Sequence, residues 1–187
     1  IYYYIMPIQT PICDFGQKAH DFKLKSTSNE ILSLSDIKGE NGTLIMFICN
    51  HCPYVKAVIS EIVETSNELK KNEISTIAIM SNDTIKYKED SFDNMKVFAK
   101  DNLFNFPYVI DENQIIAKKF GAVCTPDFFG YNSNNELQYR GRLREMKELK
   151  PVPNKPNELL IAMKQISETG FGPKLQFPSM GCNIKWK

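Results

Sequence analysis

Thr43-Leu-Ile-Met-Phe-Ile-Cys-Asn-His-Cys-Pro-Tyr-Val-Lys56 is the stretch on which the reading of this chain turns. The run up to Ile48 is almost wholly apolar and is entered through Glu40-Asn41-Gly42, the pattern of a central strand buried on both faces. Two cysteines follow at once. Beyond them Val55, Val58, Ile59, Ile62, Val63 and Leu69 recur at helical spacing, while Lys56, Glu61, Glu64 and Glu68 take the opposite side. The spacing predicts one amphipathic helix over residues 51–70, with Pro53 in its first turn, where a missing N–H is tolerated. One thiol, Cys49, is then expected at the helix N-terminus and the other, Cys52, in the first turn. Free backbone N–H groups and the positive end of the helix dipole stabilise a thiolate there, bringing its pKa to roughly 3.5–7.5 instead of about 8.5. This makes Cys49 the expected nucleophile and Cys52 the thiol that resolves the mixed disulfide, completing thiol–disulfide exchange. His51 lies between them, placed to donate to the Cys49 thiolate or, when protonated, to offset its charge.

Working outward, Ile74-Ser-Thr-Ile-Ala-Ile-Met80 is a second buried strand, and a polar stretch leads to a helix over residues 91–103 carrying Phe92, Met95, Val97, Phe98 and Ala99. Strand-helix-strand-helix implies a parallel sheet. A short strand at Pro107-Tyr-Val-Ile110 precedes a helix over 113–120 stopped by Gly121. Residues 127–131 and 136–140 then form a hairpin around Asn132-Ser-Asn-Asn135, closing the sheet with an antiparallel pair. Upstream, residues 21–25 and 30–34 read as a β-hairpin ahead of the main core. Pro151, Pro153 and Pro156 break the chain before a last helix over 157–169. The expectation is a single α/β domain over 1–187, a central mixed sheet flanked by helices, with 1–20 as an N-terminal extension and 170–187 as a Gly- and Pro-rich tail.

Composition narrows the function classes. Of 187 residues 42% are hydrophobic, and 23 basic side chains stand against 22 acidic ones, which excludes a disordered or fibrous chain. A net charge of +1 gives no field to recruit nucleic acid or an anionic membrane. No window approaches the roughly 18 apolar residues of a transmembrane helix. Ile1-Tyr-Tyr-Tyr-Ile5 lacks the basic start, length and cleavage site of a secretory signal, and Met6 reads as a start preceded by an extension. Five cysteines, an odd set in a medium-sized chain, favour a reducing, cytoplasmic setting. The expected partners are disulfide or thiol substrates, protein or small molecule, and a thiol reductase. No dissociable cofactor is required.

Val123-Cys124-Thr125-Pro126-Asp127, between the short helix and the closing hairpin, reads as a cis-proline loop in which Thr125 and Pro126, with Cys124 beside them, are assigned to a substrate groove. With Cys49-Asn-His-Cys-Pro-Tyr-Val-Lys56, Gly121-Ala-Val-Cys-Thr-Pro-Asp-Phe-Phe129, Tyr139-Arg-Gly-Arg142 and Pro178-Ser-Met-Gly-Cys-Asn-Ile-Lys-Trp-Lys187 in hand, the chain resembles thioredoxin-fold redoxins of the peroxiredoxin-like, AhpC/TSA-like branch. The resemblance implies a thioredoxin-like fold, an antioxidant role, Cys49 in the place of the attacking cysteine and Pro126 in that of the cis-proline. Peroxiredoxins of this group carry P-x-x-x-T-x-x-C. Aligned on Cys52, the proline and threonine positions hold Ile45 and Cys49, so both peroxide-orienting residues are absent. Thioredoxins usually carry a tryptophan before the first cysteine and a buried carboxylate in the preceding strand; here the first is Ile48 and residues 43–48 hold no acid, leaving the base for Cys52 unassigned. A peroxiredoxin-like thiol peroxidase and a non-enzymatic redox-sensing or binding module remain as alternatives to the oxidoreductase.

The remaining features have plainer readings. C-x2-C is also half of a zinc site, but Cys13, His20, Cys124 and Cys182 are scattered, so no metal is expected. Cys124 reads as a small buried side chain in the loop with some prospect of exchanging with the active pair. Cys13 and Cys182, near opposite ends, read first as structural, with a third redox cysteine or a mutual pair as the other reading. Arg140, Arg142 and Arg144 alternate as a solvated strand face or an anion site. Ile184 and Trp186 alternate with lysines as a tail strand docking an aromatic anchor, and Tyr54 and Lys56 offer groove surface.

Overall fold

The computed structural model describes residues 7–187; the reading of Met6 as a start lies outside them. The strand β4 (Gly42–Phe47) is buried at every position, because it is paired on both edges and covered on both faces. Its side chains alternate. Leu44, Met46 and Ile48 enter one core with α3 (Ile59–Lys70) and α6 (Glu158–Thr169), while Ile45 and Phe47 enter another with Ile116 and Phe120 of α5 (Ile115–Phe120). On one edge β4 runs parallel to β5 (Ile74–Met80), and β5 runs parallel to β6 (Tyr108–Ile110). On the other edge it is antiparallel to β8 (Asp127–Tyr131), which pairs with β9 (Leu137–Tyr139).

The strands β2 (Lys23–Ser26) and β3 (Ile31–Ser33) form the expected hairpin, but it does not stand ahead of the core. Lys25 and Ser26 pair with Ile110 and Val109, completing a seven-stranded sheet of order β3-β2-β6-β5-β4-β8-β9. The short α1 (Leu34–Ile37) follows through a capping box at Ser33, and α4 (Phe92–Asp101) is capped by Ser91, whose Oγ accepts from the Asn94 amide. A second, three-stranded sheet joins both ends of the described chain to the proline loop: β1 (Pro7–Gln9), β12 (Met180–Asn183) and β7 (Cys124–Thr125), with β12 in the middle. A small hairpin, β10 (Met146–Lys147) with β11 (Lys150–Pro151), lies before α6. The Thr125-Pro126 bond is cis.

Three expectations need correction. The helix over 51–70 is two pieces, α2 (Pro53–Lys56) and α3, because Val58 leaves helical geometry (φ −124°, ψ 3°) and its N–H returns three residues to the Val55 carbonyl. The tail's anchor is Ile184, fully buried, whereas Trp186 is 41% exposed beneath the Lys118 ammonium. The three arginines do not form a solvated face or an anion site. Arg142 pairs with Glu158, Arg144 with Glu61, and Arg140 with the buried Asp127.

That last pair holds the proline loop. Arg140 Nη2 donates to Asp127 Oδ2 (3.0 Å) and to the Gly121 carbonyl (2.7 Å), and Asp127 accepts the Val123 amide (3.0 Å). Burial pushes the Asp127 carboxyl above its ordinary value even against the pull of Arg140. Removing the arginine therefore leaves a buried charge without compensation. Arg140→Ala is expected to cost about 3–5 kcal/mol in urea denaturation, with Asp127→Asn restoring part of it; a loss below about 1 kcal/mol contradicts this role.

Candidate active site

The backbone leaves β4 with the Ile48 amide still bound to the Ile79 carbonyl (3.1 Å), then turns through Cys49, Asn50 and His51 into α2. The turn is held by Asp90. Its Oδ1 accepts the Asn50 amide (2.8 Å), and its Oδ2 accepts from Asn82 Nδ2 (2.8 Å) and meets His51 Nδ1 (2.7 Å). Asn50 is saturated as well, donating to the Glu89 carbonyl (3.0 Å) and accepting from the Tyr108 hydroxyl (2.9 Å). The sequence reading found none of Asn82, Asp90 and Tyr108. They come from separate segments, and only the polar run before α4 hints at one of them.

Both thiols sit earlier relative to the helix than expected. Pro53 is the first helical residue, so Cys52 is the N-cap and Cys49 lies three positions earlier, off the helix. Both are buried, as is Cys182, at 1%, 0% and 2% exposed respectively. Cys52 Sγ lies 2.9 Å from Cys182 Sγ and 3.1 Å from the Thr125 carbonyl, and Cys49 Sγ lies 3.5 Å from Thr125 Oγ1. The cluster therefore holds three sulfurs, the third from a cysteine that read first as structural. Cys13 does not pair with Cys182, because it packs in the core on the opposite face of the main sheet.

Cys52 is the sulfur of the cluster whose surroundings favour a thiolate. The thiol of Cys182, then that of Cys49, hydrogen-bond its thiolate, with smaller help from Thr125 and the Val55 amide, and together they overcome burial to hold its pKa far below that of an ordinary thiol. As a thiol, Cys52 donates to the Thr125 carbonyl (3.1 Å) from the same position that brings it 2.9 Å from Cys182 Sγ. Burial, reinforced by Cys52 and Asp90, pushes Cys49 well up, and donation to Cys52 and burial do the same to Cys182. Cys49 and Cys182 are thus the thiols that can donate to Cys52 when it is ionised.

His51 lies near Cys49, but its closest partner is Asp90. Its Nδ1 is 4.0 Å from Cys49 Sγ but 2.7 Å from Asp90 Oδ2, so the proton at that nitrogen is committed to the carboxylate. His51 also stacks flat on Tyr87, with ring centroids 5.9 Å apart. Cys49, His51 and Asp90 bring their ligand atoms within 4.8 Å of one another, the one such group among the described residues. Both Asp90 oxygens are already taken by amide and imidazole donors, so the set suits a charge bracket better than a metal.

Pro126 and Tyr54 border a cavity of about 370 Å³ that continues along Phe128, Met146, Phe177 and Met180. Pro126 lines this cavity, whereas Thr125 Oγ1 lies against Cys49 Sγ. Cys124 is not a groove residue: it is fully buried, its Sγ 3.5 Å from the Pro126 carbonyl, and burial raises its pKa. No helix among the described residues is long and apolar enough to cross a membrane.

Asp90 raises the His51 pKa, chiefly through their hydrogen bond. A folded-state pKa above the unfolded value means the pair's stabilisation is complete below about pH 6.5 and is lost as pH climbs through the folded value. The stability difference between the wild type and His51→Gln is accordingly expected to be larger at about pH 5.5 than at about pH 9 in urea denaturation; equal differences contradict the pairing.

The comparisons bear on the family and the fold. No curated protein matches the chain. The crystal structure of an uncharacterized conserved protein from Geobacillus kaustophilus shares 37% identity and a TM-score of 0.93, over 99% of this chain and 98% of that one. That of a hypothetical protein from Sinorhizobium meliloti 1021 shares 30% identity and a TM-score of 0.88, over 96% and 98%. A peroxidoxin from Mycobacterium tuberculosis, at 16% identity and TM-score 0.56 over 68% and 83%, has a related fold, in keeping with a thioredoxin-like architecture. The AhpC/TSA family model matches residues 15–146, and the chain belongs to that family.

Proposed function

We propose that the chain is a thiol–disulfide oxidoreductase in which Cys52 is the attacking sulfur and Cys49 a resolving thiol. One observation carries this reading: Cys52, the buried N-cap of α2, has its Sγ 2.9 Å from Cys182 Sγ and 3.1 Å from the carbonyl before the cis proline, in surroundings that lower its pKa while burial raises that of Cys49 three residues earlier. The low pKa keeps Cys52 ionised and a good leaving group, while the high pKa keeps Cys49 neutral until the mixed disulfide forms.

The Cys52 thiolate attacks a substrate disulfide RSSR, forming Cys52–S–S–R and releasing RS⁻. The Cys49 thiol passes its proton to that thiolate and attacks Cys52 Sγ, leaving a Cys49–Cys52 disulfide and a second RS⁻. Two electrons have then moved from protein to substrate, and a thiol reductase restores the pair. Asp90 and His51 fix the turn and place a compensated charge pair beside it, and Pro126 and Tyr54 border the approach. Because Cys52 is fully covered, substrate entry requires local opening around Tyr54 or the β12 strand.

A dithiol enzyme is favoured over a peroxidase by Cys49, a thiol where the peroxide-orienting hydroxyl would stand. In the reduction of a small aromatic disulfide followed by absorbance, Cys52→Ser is expected to lose roughly 10³-fold or more in rate. Cys49→Ser is expected to retain the first thiol release but turn over more slowly. Retention of turnover by Cys52→Ser with abolition by Cys49→Ser reverses the two roles, and peroxide-driven sulfenic acid at Cys52 without any dithiol turnover contradicts the oxidoreductase.

A further inference from the structure

We propose that Cys182 is a second resolving cysteine, and that the oxidised protein carries a Cys52–Cys182 disulfide fastening the C-terminal strand across the site. The proposal rests on Cys52 being the attacking sulfur. The two Sγ atoms lie 2.9 Å apart although 130 positions separate them in sequence, and a bond needs about 2.05 Å, so less than about 1 Å of approach completes it. Both sulfurs are buried, and no other side chain stands between them at that distance.

The position of Cys182 is built, not accidental. Its residue pairs with Thr125 in the β12–β7 register, one position from Pro126. The strand is pinned on both sides of the cysteine. Upstream, the Ser179 hydroxyl donates to the Pro126 carbonyl (2.8 Å), and Ser179 and Thr10 exchange two hydrogen bonds of 3.0 Å. Downstream, the Ile184 amide donates to the Val123 carbonyl (3.1 Å) and the Lys185 amide to Asn82 Oδ1 (2.9 Å). Asn82 also holds Asp90, so the segment that anchors the tail is the one that braces the Cys49–Cys52 turn. Gly181 allows the close approach: a Cβ there would stand 2.1 Å from the Thr125 carbonyl oxygen.

The step balances without a further reagent. In Cys52–S–S–R the Cys182 thiol attacks Cys52 Sγ, the S–R bond breaks, a Cys52–Cys182 bond forms, and R leaves as RSH with the proton from Cys182. Cys182 sulfur is oxidised and the substrate sulfur reduced. Cys49 and Cys182 thus compete for one mixed disulfide from opposite sides of Cys52, one on the turn and one on the tail.

The full chain is exposed to oxidised glutathione, quenched in acid, alkylated and mapped by mass spectrometry without reduction. In Cys49→Ser a Cys52–Cys182 cross-link is expected to replace a transient glutathione adduct. In Cys49→Ser/Cys182→Ser the adduct on Cys52 is expected to persist at least about tenfold longer. Gly181→Val in the Cys49→Ser background keeps Cys182 but displaces the strand, and is expected to lose the cross-link. In the wild type, a Cys52–Cys182 linked peptide in part of the oxidised population gives the same answer without a variant. A Cys49→Ser protein whose adduct lasts as long as in the double variant, with Cys182 fully alkylated, overturns the proposal and leaves the Cys49–Cys52 reading standing. A wild type in which Cys52 takes neither adduct nor disulfide overturns both.

Discussion

Stabilising a thiolate at Cys52 away from water is the demand that the rest of this site is built to meet on the proposed reading. Cys52 is fully buried, and burial alone would keep it a thiol. A helix of one turn supplies little dipole, since the break at Val58 separates α2 from α3. The stabilisation comes mainly from S–H donors on either side, with Thr125 and the Val55 amide behind them. Each donor arrives on a different element: Cys49 on the turn after β4, Cys182 on β12, and Thr125 on β7. Keeping those elements in register is the structural task that the two sheets perform.

That task explains the placement of the buried charges. Asp127 and Arg140 lock the start of β8 to the 121–123 backbone, which fixes Thr125 and Pro126. Asp90 closes the other side, gathering the Asn50 amide, His51 and Asn82. Through Asn82 the same bracket reaches the tail at Lys185. Turn, proline loop and tail are therefore three parts of one hydrogen-bonded frame around the sulfurs. The tail strand also takes the free edge of β7, so that edge offers no backbone groups for a peptide to pair with while β12 is in place.

What the sequence made legible follows from where its signals are local. The buried run into two cysteines, the Ser91 cap, the Gly121 stop and the strand at 127–131 all leave marks within a few residues, and the fold follows from them. The helix break at Val58 leaves none, because the apolar spacing continues through it. The N-cap was legible: proline at the first helical position makes the residue before it the cap, and a stricter use of that signal puts Cys52, not Cys49, at the helix start. Asp90 and Cys182 were not legible, being 39 and 130 positions from the residues they meet. The arginines at 140, 142 and 144 alternate as a strand face does, but each finds a carboxylate contributed by another element.

The account stands on the division of charge between the two cysteines of the turn. Its most direct test is a titration of the reduced protein with ¹³C-labelled cysteine, following each Cβ shift from about pH 3 to about pH 10, with single Cys→Ser variants for assignment. The account predicts that Cys52 is already a thiolate in the acidic half of that range, while Cys49 and Cys182 remain thiols through neutrality. A Cys49 that ionises first, with Cys52 unchanged until alkaline pH, contradicts it.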